Sequence, residues 1–180
     1  APFGLLPQIE PDQAFRLGAG AAAITHGHPT GYLAAGAFAF IMRHLLEGET
    51  LEDSVHWALE RLRDEDEDEA QETTEALEAA LEAENVDKLG QGWIAEEALA
   101  IAVFAARRAE SGAEAIRVAA NHSGDSDSTA SLAGQLYGAQ HGSDAFPRDW
   151  VDALDLFESI ERATEQLIDM ATDEELEFSF

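Results

Sequence analysis

Apolar residues recur at helical spacing along most of the chain, and no segment shows a convincing two-residue alternation of the kind that marks a strand. The pattern therefore predicts an all-α fold. The predicted helices cover about residues 12–23, 31–46, 51–63, 71–84, 94–104, 112–120, 128–138 and 148–171.

Two of these helices, residues 31–46 and 94–104, are apolar on nearly every face. A helix that is hydrophobic all round belongs in a core. The others are amphipathic and acidic, so we predict a single domain over residues 1–180 in which acidic helices surround the two apolar ones. Residues 64–70 carry six consecutive acids, which predicts a solvated acidic loop or a frayed helix end.

Charge is the unusual feature of the composition. The chain has 10 Lys and Arg against 37 Asp and Glu, a net charge of −27. Such self-repulsion destabilises a compact fold at low salt, whereas in 1 M salt the Debye length falls to about 3 Å. We therefore expect a halophilic protein of a salt-loaded cytoplasm. The negative field argues against nucleic-acid binding.

Two further function classes are excluded by composition. The chain has no cysteine, so it has no disulfide, zinc–thiolate site or cysteine nucleophile. Its most apolar run, residues 33–42, is too short to cross a bilayer, and we expect no membrane partner.

The segment with the most potential metal-binding or catalytic side chains is residues 121–130, which contain two carboxylates and several hydroxyls between apolar segments. Asp125 and Asp127 are two residues apart, so an extended backbone would place both side chains on one side. Ser128 follows where a helix begins, and these oxygens together suit Mg²⁺ or Mn²⁺. The alternative is a solvated loop that ends in a helix N-cap, because capping favours the same residue types.

Two more turns precede the two apolar helices. The first contains His26 and His28, which either bond the backbone or bind a ligand. The second contains Gly90 and Gly92, which either turn the chain or let a ligand approach the backbone. All three turns are thus predicted at the N-terminal ends of buried helices.

In this order, the turns resemble those of the ADP-ribosylglycohydrolase family, which includes the dinitrogenase reductase-activating glycohydrolases. The matching segments are Ala1-Pro2-Phe3-Gly4-Leu5, Thr25-His26-Gly27-His28-Pro29, Leu89-Gly90-Gln91-Gly92-Trp93-Ile94-Ala95-Glu96-Glu97-Ala98-Leu99 and Gly124-Asp125-Ser126-Asp127-Ser128-Thr129-Ala130, with Gly134 and Gly138. The resemblance implies a compact, orthogonal multi-helix domain that removes ADP-ribose from modified side chains with two Mg²⁺ or Mn²⁺ ions.

The resemblance also implies roles for individual residues. Asp125 and Asp127 would be metal ligands, and Ser128 stands where the family usually has a ligand threonine, with Thr129 as the neighbouring candidate. In the family the histidine lies beside the substrate pocket and the Gly-x-Gly-Trp loop closes over the nucleotide. Tyr32 is a further candidate, because its ring could stack on a base. The implied substrate-binding residues are His26, Tyr32, Gly90, Gly92 and Trp93.

Members of this family are considerably longer and carry upstream Thr-Asp-Asp and Gly-rich segments that have no match here. The chain is therefore expected to be the C-terminal part of such a domain, with the N-terminal part missing and about half of the metal ligands present. We expect the full-length form to hydrolyse N- or O-glycosidic bonds of ADP-ribosylated proteins and this chain alone to be inactive. The alternative is a non-catalytic relative with a structural or binding role. A truncated domain would expose apolar surface, which favours self-association.

Overall fold

A computed structural model describes residues 1–172 of the 180-residue chain, and the predicted acidic tail lies outside them. The described residues form α-helices joined by turns and short 3₁₀ segments, with no strand, so the all-α prediction is confirmed. The helices are α1 (Pro11–Ala23), α2 (Pro29–Leu46), α3 (Leu51–Leu62), α4 (Glu67–Glu82), α5 (Ala95–Arg108), α6 (Gly112–Ala120), α7 (Ser126–His141), α8 (Arg148–Asp152) and α9 (Phe157–Thr172).

The two helices predicted to be central, α2 and α5, form the core. Most residues of both are buried, and the two helices contact each other. Helices α1, α3, α4 and α7 pack against α2, while α4, α6 and α7 pack against α5. None of the helices in the described part of the chain is both long enough and apolar enough to span a bilayer.

The acidic block does not form a loop over its whole predicted length. Helix α4 begins at Glu67, and Asp66 caps it by accepting hydrogen bonds from the amides of Asp68 (3.1 Å) and Glu69 (3.4 Å). Carboxylates in a first helical turn interact favourably with the positive end of the helix dipole. The predicted loop over residues 64–70 is thus wrong from Glu67 onward, because the carboxylates there interact with the dipole of α4 and stabilise its first turn.

The last predicted helix, residues 148–171, is in fact two helices. The break lies between Asp152 and Phe157, where Leu156 has φ = 59°, a left-handed conformation that is rare for a branched side chain. Several large apolar side chains from α8 to α9 are exposed, namely Trp150, Leu154, Leu156, Ile160, Ile168 and Met170. Self-association stays a prediction.

Close packing of α1 on α2 depends on small residues. A Cβ atom built at Gly18 would lie 2.8 Å from the Ala39 Cβ and 2.9 Å from the Ala35 carbonyl oxygen. Gly20, two residues further along α1, has no heavy atom within 4 Å of the same position. The backbones of the two helices therefore approach one another closely at Gly18.

We predict opposite effects of adding one methyl group at these two glycines. Gly18→Ala should lower the free energy of unfolding by about 1–3 kcal/mol, because the methyl group overpacks the α1–α2 contact. Gly20→Ala should raise it by roughly 0.5–1 kcal/mol, because alanine is the better helix former. Urea unfolding in 1 M KCl measures both, and a stabilising Gly18→Ala would contradict the close contact.

Candidate functional site

The three turns predicted from the sequence surround one cavity of about 620 Å³. It lies where the N-terminal ends of α2, α5 and α7 meet, with one residue of α4 along its side. Of the residues singled out from the sequence, His26, Gly92, Trp93, Asp125 and Ser128 line it. Residues far apart in the chain are therefore brought to a single site.

Three predicted site residues lie outside this cavity. The Tyr32 hydroxyl donates a hydrogen bond of 2.9 Å to the Glu69 carboxylate on α4. Gly90 lines a neighbouring cavity instead. Asp127 is exposed in the first turn of α7 and contacts Asp125, which does line the cavity.

A short hydrogen-bonded clamp joins two of the turns. Glu97 Oε2 accepts hydrogen bonds from the amides of Gln91 (2.9 Å) and Gly92 (3.0 Å). The Gln91 carbonyl in turn accepts a hydrogen bond of 2.8 Å from the Asp125 amide. The Gly-x-Gly-Trp turn is thereby fixed both to the start of α5 and to the Asp-rich turn.

The backbone conformation and packing of this turn explain why it contains glycine at position 92. Gly92 has φ = +75°, a left-handed conformation that favours glycine. A Cβ atom there would lie 2.7 Å from the Thr129 Cγ2 atom. The close approach that glycine permits is thus an approach of the turn to helix α7.

The backbone of the Asp-rich turn follows the predicted helix N-cap rather than the predicted extended conformation. Asp125 is the N-cap of α7 and Asp127 is already helical, because α7 begins at Ser126. The Asp125 side chain nevertheless makes no capping hydrogen bond with the backbone amides of α7. The pattern of two acids separated by one residue fits a helix start as well as a strand.

The two carboxyl groups interact directly. The pKa of Asp127 is lowered from its ordinary value, first by a hydrogen bond with the Asp125 side chain and then by the backbone amides of Asp127 and Ser128. Asp127 thus stays ionised to lower pH than a free aspartate. Two neighbouring carboxylates repel one another when both are charged, and a divalent cation would relieve that repulsion.

Ser128 and Thr129 occupy different environments. Thr129 is fully buried; its hydroxyl donates a hydrogen bond of 2.7 Å to the Ala119 carbonyl and lies 2.9 Å from His122 Nε2. Ser128 is exposed and lines the cavity, and its hydroxyl makes no hydrogen bond with any residue in the described part of the chain. The available hydroxyl next to Asp127 is therefore that of Ser128.

These oxygens fit part of the coordination shell of a hard divalent cation. Mg²⁺ prefers carboxylate and hydroxyl oxygens and takes about six ligands, and Asp125, Asp127 and Ser128 offer oxygens from three side chains. Over residues 1–172, no group of three or more His, Asp and Glu side chains is arranged to hold an ion. The set thus fits one side of a metal site, with water or substrate oxygens needed on the other.

Comparison with known proteins identifies the family of the chain. The sequence profile of the ADP-ribosylglycohydrolase family matches residues 1–176. The chain belongs to the ADP-ribosylglycohydrolase family. A solved structure described as an ADP-ribosylglycohydrolase-related protein complex shares the fold, with a TM-score of 0.78 and 30% sequence identity over 94% of this chain and 57% of that one.

Two curated relatives match a shorter region. The ADP-ribosylarginine hydrolase Tri1 of Serratia proteamaculans (strain 568) is 37% identical over 79 residues, which cover 44% of this chain and 22% of that protein. The protein of the same name from Pseudomonas putida (strain GB-1) is 32% identical over 85 residues, or 47% of this chain and 23% of that one. The matched region thus spans less than a quarter of either relative.

Sequence reasoning assigned no role to four residues that line the cavity or support its turns. Glu97 holds the glycine turn, His122 contacts Thr129 behind it, and Glu72 and Glu96 line the cavity. The two acids that open α5 were visible in the motif, but acids in a first helical turn are usually explained by the helix dipole alone. Nothing in the sequence pattern of α4 marks Glu72.

We predict that two neighbouring hydroxyl groups contribute differently to stability. Thr129→Val should lower the free energy of unfolding by about 1–3 kcal/mol, because it removes the hydrogen-bonding partner of the buried Ala119 carbonyl and of His122. Ser128→Ala should change it by less than about 0.5 kcal/mol, since the serine is exposed. Urea unfolding of both variants measures the difference, and equal destabilisation would show that the Ser128 hydroxyl is structural.

Proposed function

We propose that the cavity binds the ADP-ribose of ADP-ribosylated proteins and forms part of a metal-dependent ADP-ribosyl hydrolase. The observation that carries the proposal is the convergence of Asp125 and Ser128 with His26 and the Gly92–Trp93 turn in one cavity. Its volume of about 620 Å³ lies within the range of small-molecule sites, roughly 300–1,000 Å³. Family membership supports the same reaction class.

The diphosphate and the nucleoside of such a substrate call for different kinds of contact. The N-terminal end of α2, which has no acid in its first turn, faces the cavity, and free backbone amides at a helix N-terminus attract diphosphate oxygens. The exposed indole of Trp93 offers a flat apolar surface to a ribose or a base. The chain thus supplies contacts for the nucleotide portion of the substrate.

The metal-binding side of the proposal rests on the Asp-rich turn. A bare helix N-terminus repels cations, and Asp125 with Asp127 reverses that local sign. These carboxylates and the Ser128 hydroxyl would hold Mg²⁺ or Mn²⁺. When bound, such an ion orients water, lowers its pKa and stabilises developing charge during glycosidic cleavage.

We propose the N-glycosidic bond to arginine as the bond that is cleaved. Both Tri1 relatives are named as ADP-ribosylarginine hydrolases. The second candidate is a non-catalytic relative that binds ADP-ribose without turnover. It is favoured by the absence, over residues 1–172, of a cluster of three or more His, Asp and Glu side chains arranged for a metal.

Calorimetric titration of ADP-ribose into the 180-residue chain, in 1 M KCl with Mg²⁺ or Mn²⁺ and then with chelator, tests the proposal. We expect binding that requires the metal. Asp125→Asn should weaken it at least about tenfold, as losses around metal sites do. Asp144→Asn, at an exposed acid outside the cavity, should bind like the unchanged chain.

The outcomes separate the two candidates. Binding that requires the metal and is weakened by Asp125→Asn supports the hydrolase. Binding that needs no metal, in a chain whose Asp125→Asn variant binds equally well, supports the non-catalytic relative. Absence of binding with and without metal contradicts both.

A further inference from the structure

One carboxylate oxygen of the cavity is buried and has no hydrogen-bond partner among the described residues. Glu96, the second residue of α5, lines the cavity, and its side chain belongs to a residue only 7% exposed. Its Oε2 atom is shielded from solvent and receives no hydrogen bond from any residue in the described part of the chain. Because burying an unpaired carboxylate oxygen is costly, a donor is expected to complete it.

The structural role of an acid at this helix start is already filled by the next residue. Glu97 accepts the amides of Gln91 and Gly92 and so stabilises both the turn and the helix dipole. Glu96 makes no such contact through Oε2. Its position is therefore explained by something that enters the cavity rather than by the helix.

The surroundings of Glu96 favour a cation. Glu72 and Asp125 also line the cavity, whereas no Lys or Arg among the described residues does. Beside these acids lies the Trp93 side chain, which is 67% exposed. A guanidinium donates forked hydrogen bonds to carboxylates and stacks on aromatic faces, so both features suit it.

We propose that Glu96, with Glu72 and Trp93, forms a subsite for the guanidinium of the arginine that carries ADP-ribose; this rests on the proposed function. The anionic diphosphate is repelled by Glu72 and Glu96, which we call the acidic wall, and lies toward the N-terminal end of α2. The terminal torsion of a glutamate is soft, so a small rotation presents Oε2 to the ligand. The acidic wall thereby selects arginine-linked over uncharged serine-linked substrates.

The test uses agmatine, the decarboxylated form of arginine, as the guanidinium probe and needs no turnover. Agmatine is titrated into ¹⁵N-labelled chain at one fixed KCl concentration while the indole N–H signal of Trp93 is followed. We expect a saturable shift, because a buried pair is screened by salt less than a surface pair. Butylurea, which is uncharged, should give no saturable shift, and agmatine should still bind when ADP-ribose is present.

Matched variants show which carboxylates bind agmatine. Glu96→Gln keeps the size of the side chain and should weaken agmatine binding about tenfold or more, the loss expected for a charge-assisted hydrogen bond. Glu72→Gln should weaken agmatine binding to a smaller extent. Because Glu72 is exposed, this substitution is not expected to disturb folding. Glu78→Gln, on the same helix but outside the cavity, should bind like the unchanged chain.

Failure of this inference is distinguishable from failure of the proposed function. No saturable shift, or equal agmatine affinity in the unchanged chain and in both Glu96→Gln and Glu72→Gln, overturns the guanidinium subsite. Displacement of agmatine by ADP-ribose also overturns it, because the two ligands would then share one position. ADP-ribose binding, measured separately by calorimetry, decides the proposed function whichever way the agmatine titration ends.

Discussion

The candidate site depends on one small hydrogen-bonded clamp. The Glu97 carboxylate accepts the amides of Gln91 and Gly92, and the Gln91 carbonyl accepts the amide of Asp125. These bonds fix the glycine turn to α5 and bring the start of α7 against it. The buried helices α2 and α5 supply the rigid base, since a packed core deforms little. Without the clamp, the cavity would lose the wall that joins its two best-defined turns.

The site combines opposite electrostatic elements within a strongly acidic chain. The N-terminal end of α2 presents partial positive charge to the cavity, while Asp125, Glu72 and Glu96 present negative charge. The substrate that we propose carries an anionic diphosphate and a cationic guanidinium, which match these two elements. On this proposal, the substrate lies with its cationic end against Glu72 and Glu96.

Much of this arrangement could be predicted from the sequence, because long apolar helices and Gly- or Asp-rich turns leave strong local signals. The burial of α2 and α5 and the placement of three turns at helix starts follow from such signals. The break at Leu156 could not be predicted, since no glycine or proline marks its left-handed backbone. The burial of Glu96 also left no signal, because an acid in a first helical turn is ordinarily solvated. The placement of Glu72 in the same cavity as the start of α5 arises only in the folded chain.

The central claim is that the three turns form one metal-assisted ADP-ribose site. A crystal structure of the chain with ADP-ribose and Mn²⁺, recorded at the manganese absorption edge, tests it most directly. The account predicts an anomalous peak at the oxygens of Asp125, Asp127 and Ser128, with ADP-ribose in the cavity beside the Gly92–Trp93 turn. A nucleotide bound elsewhere, or a peak away from these oxygens while the cavity stays empty, would contradict it.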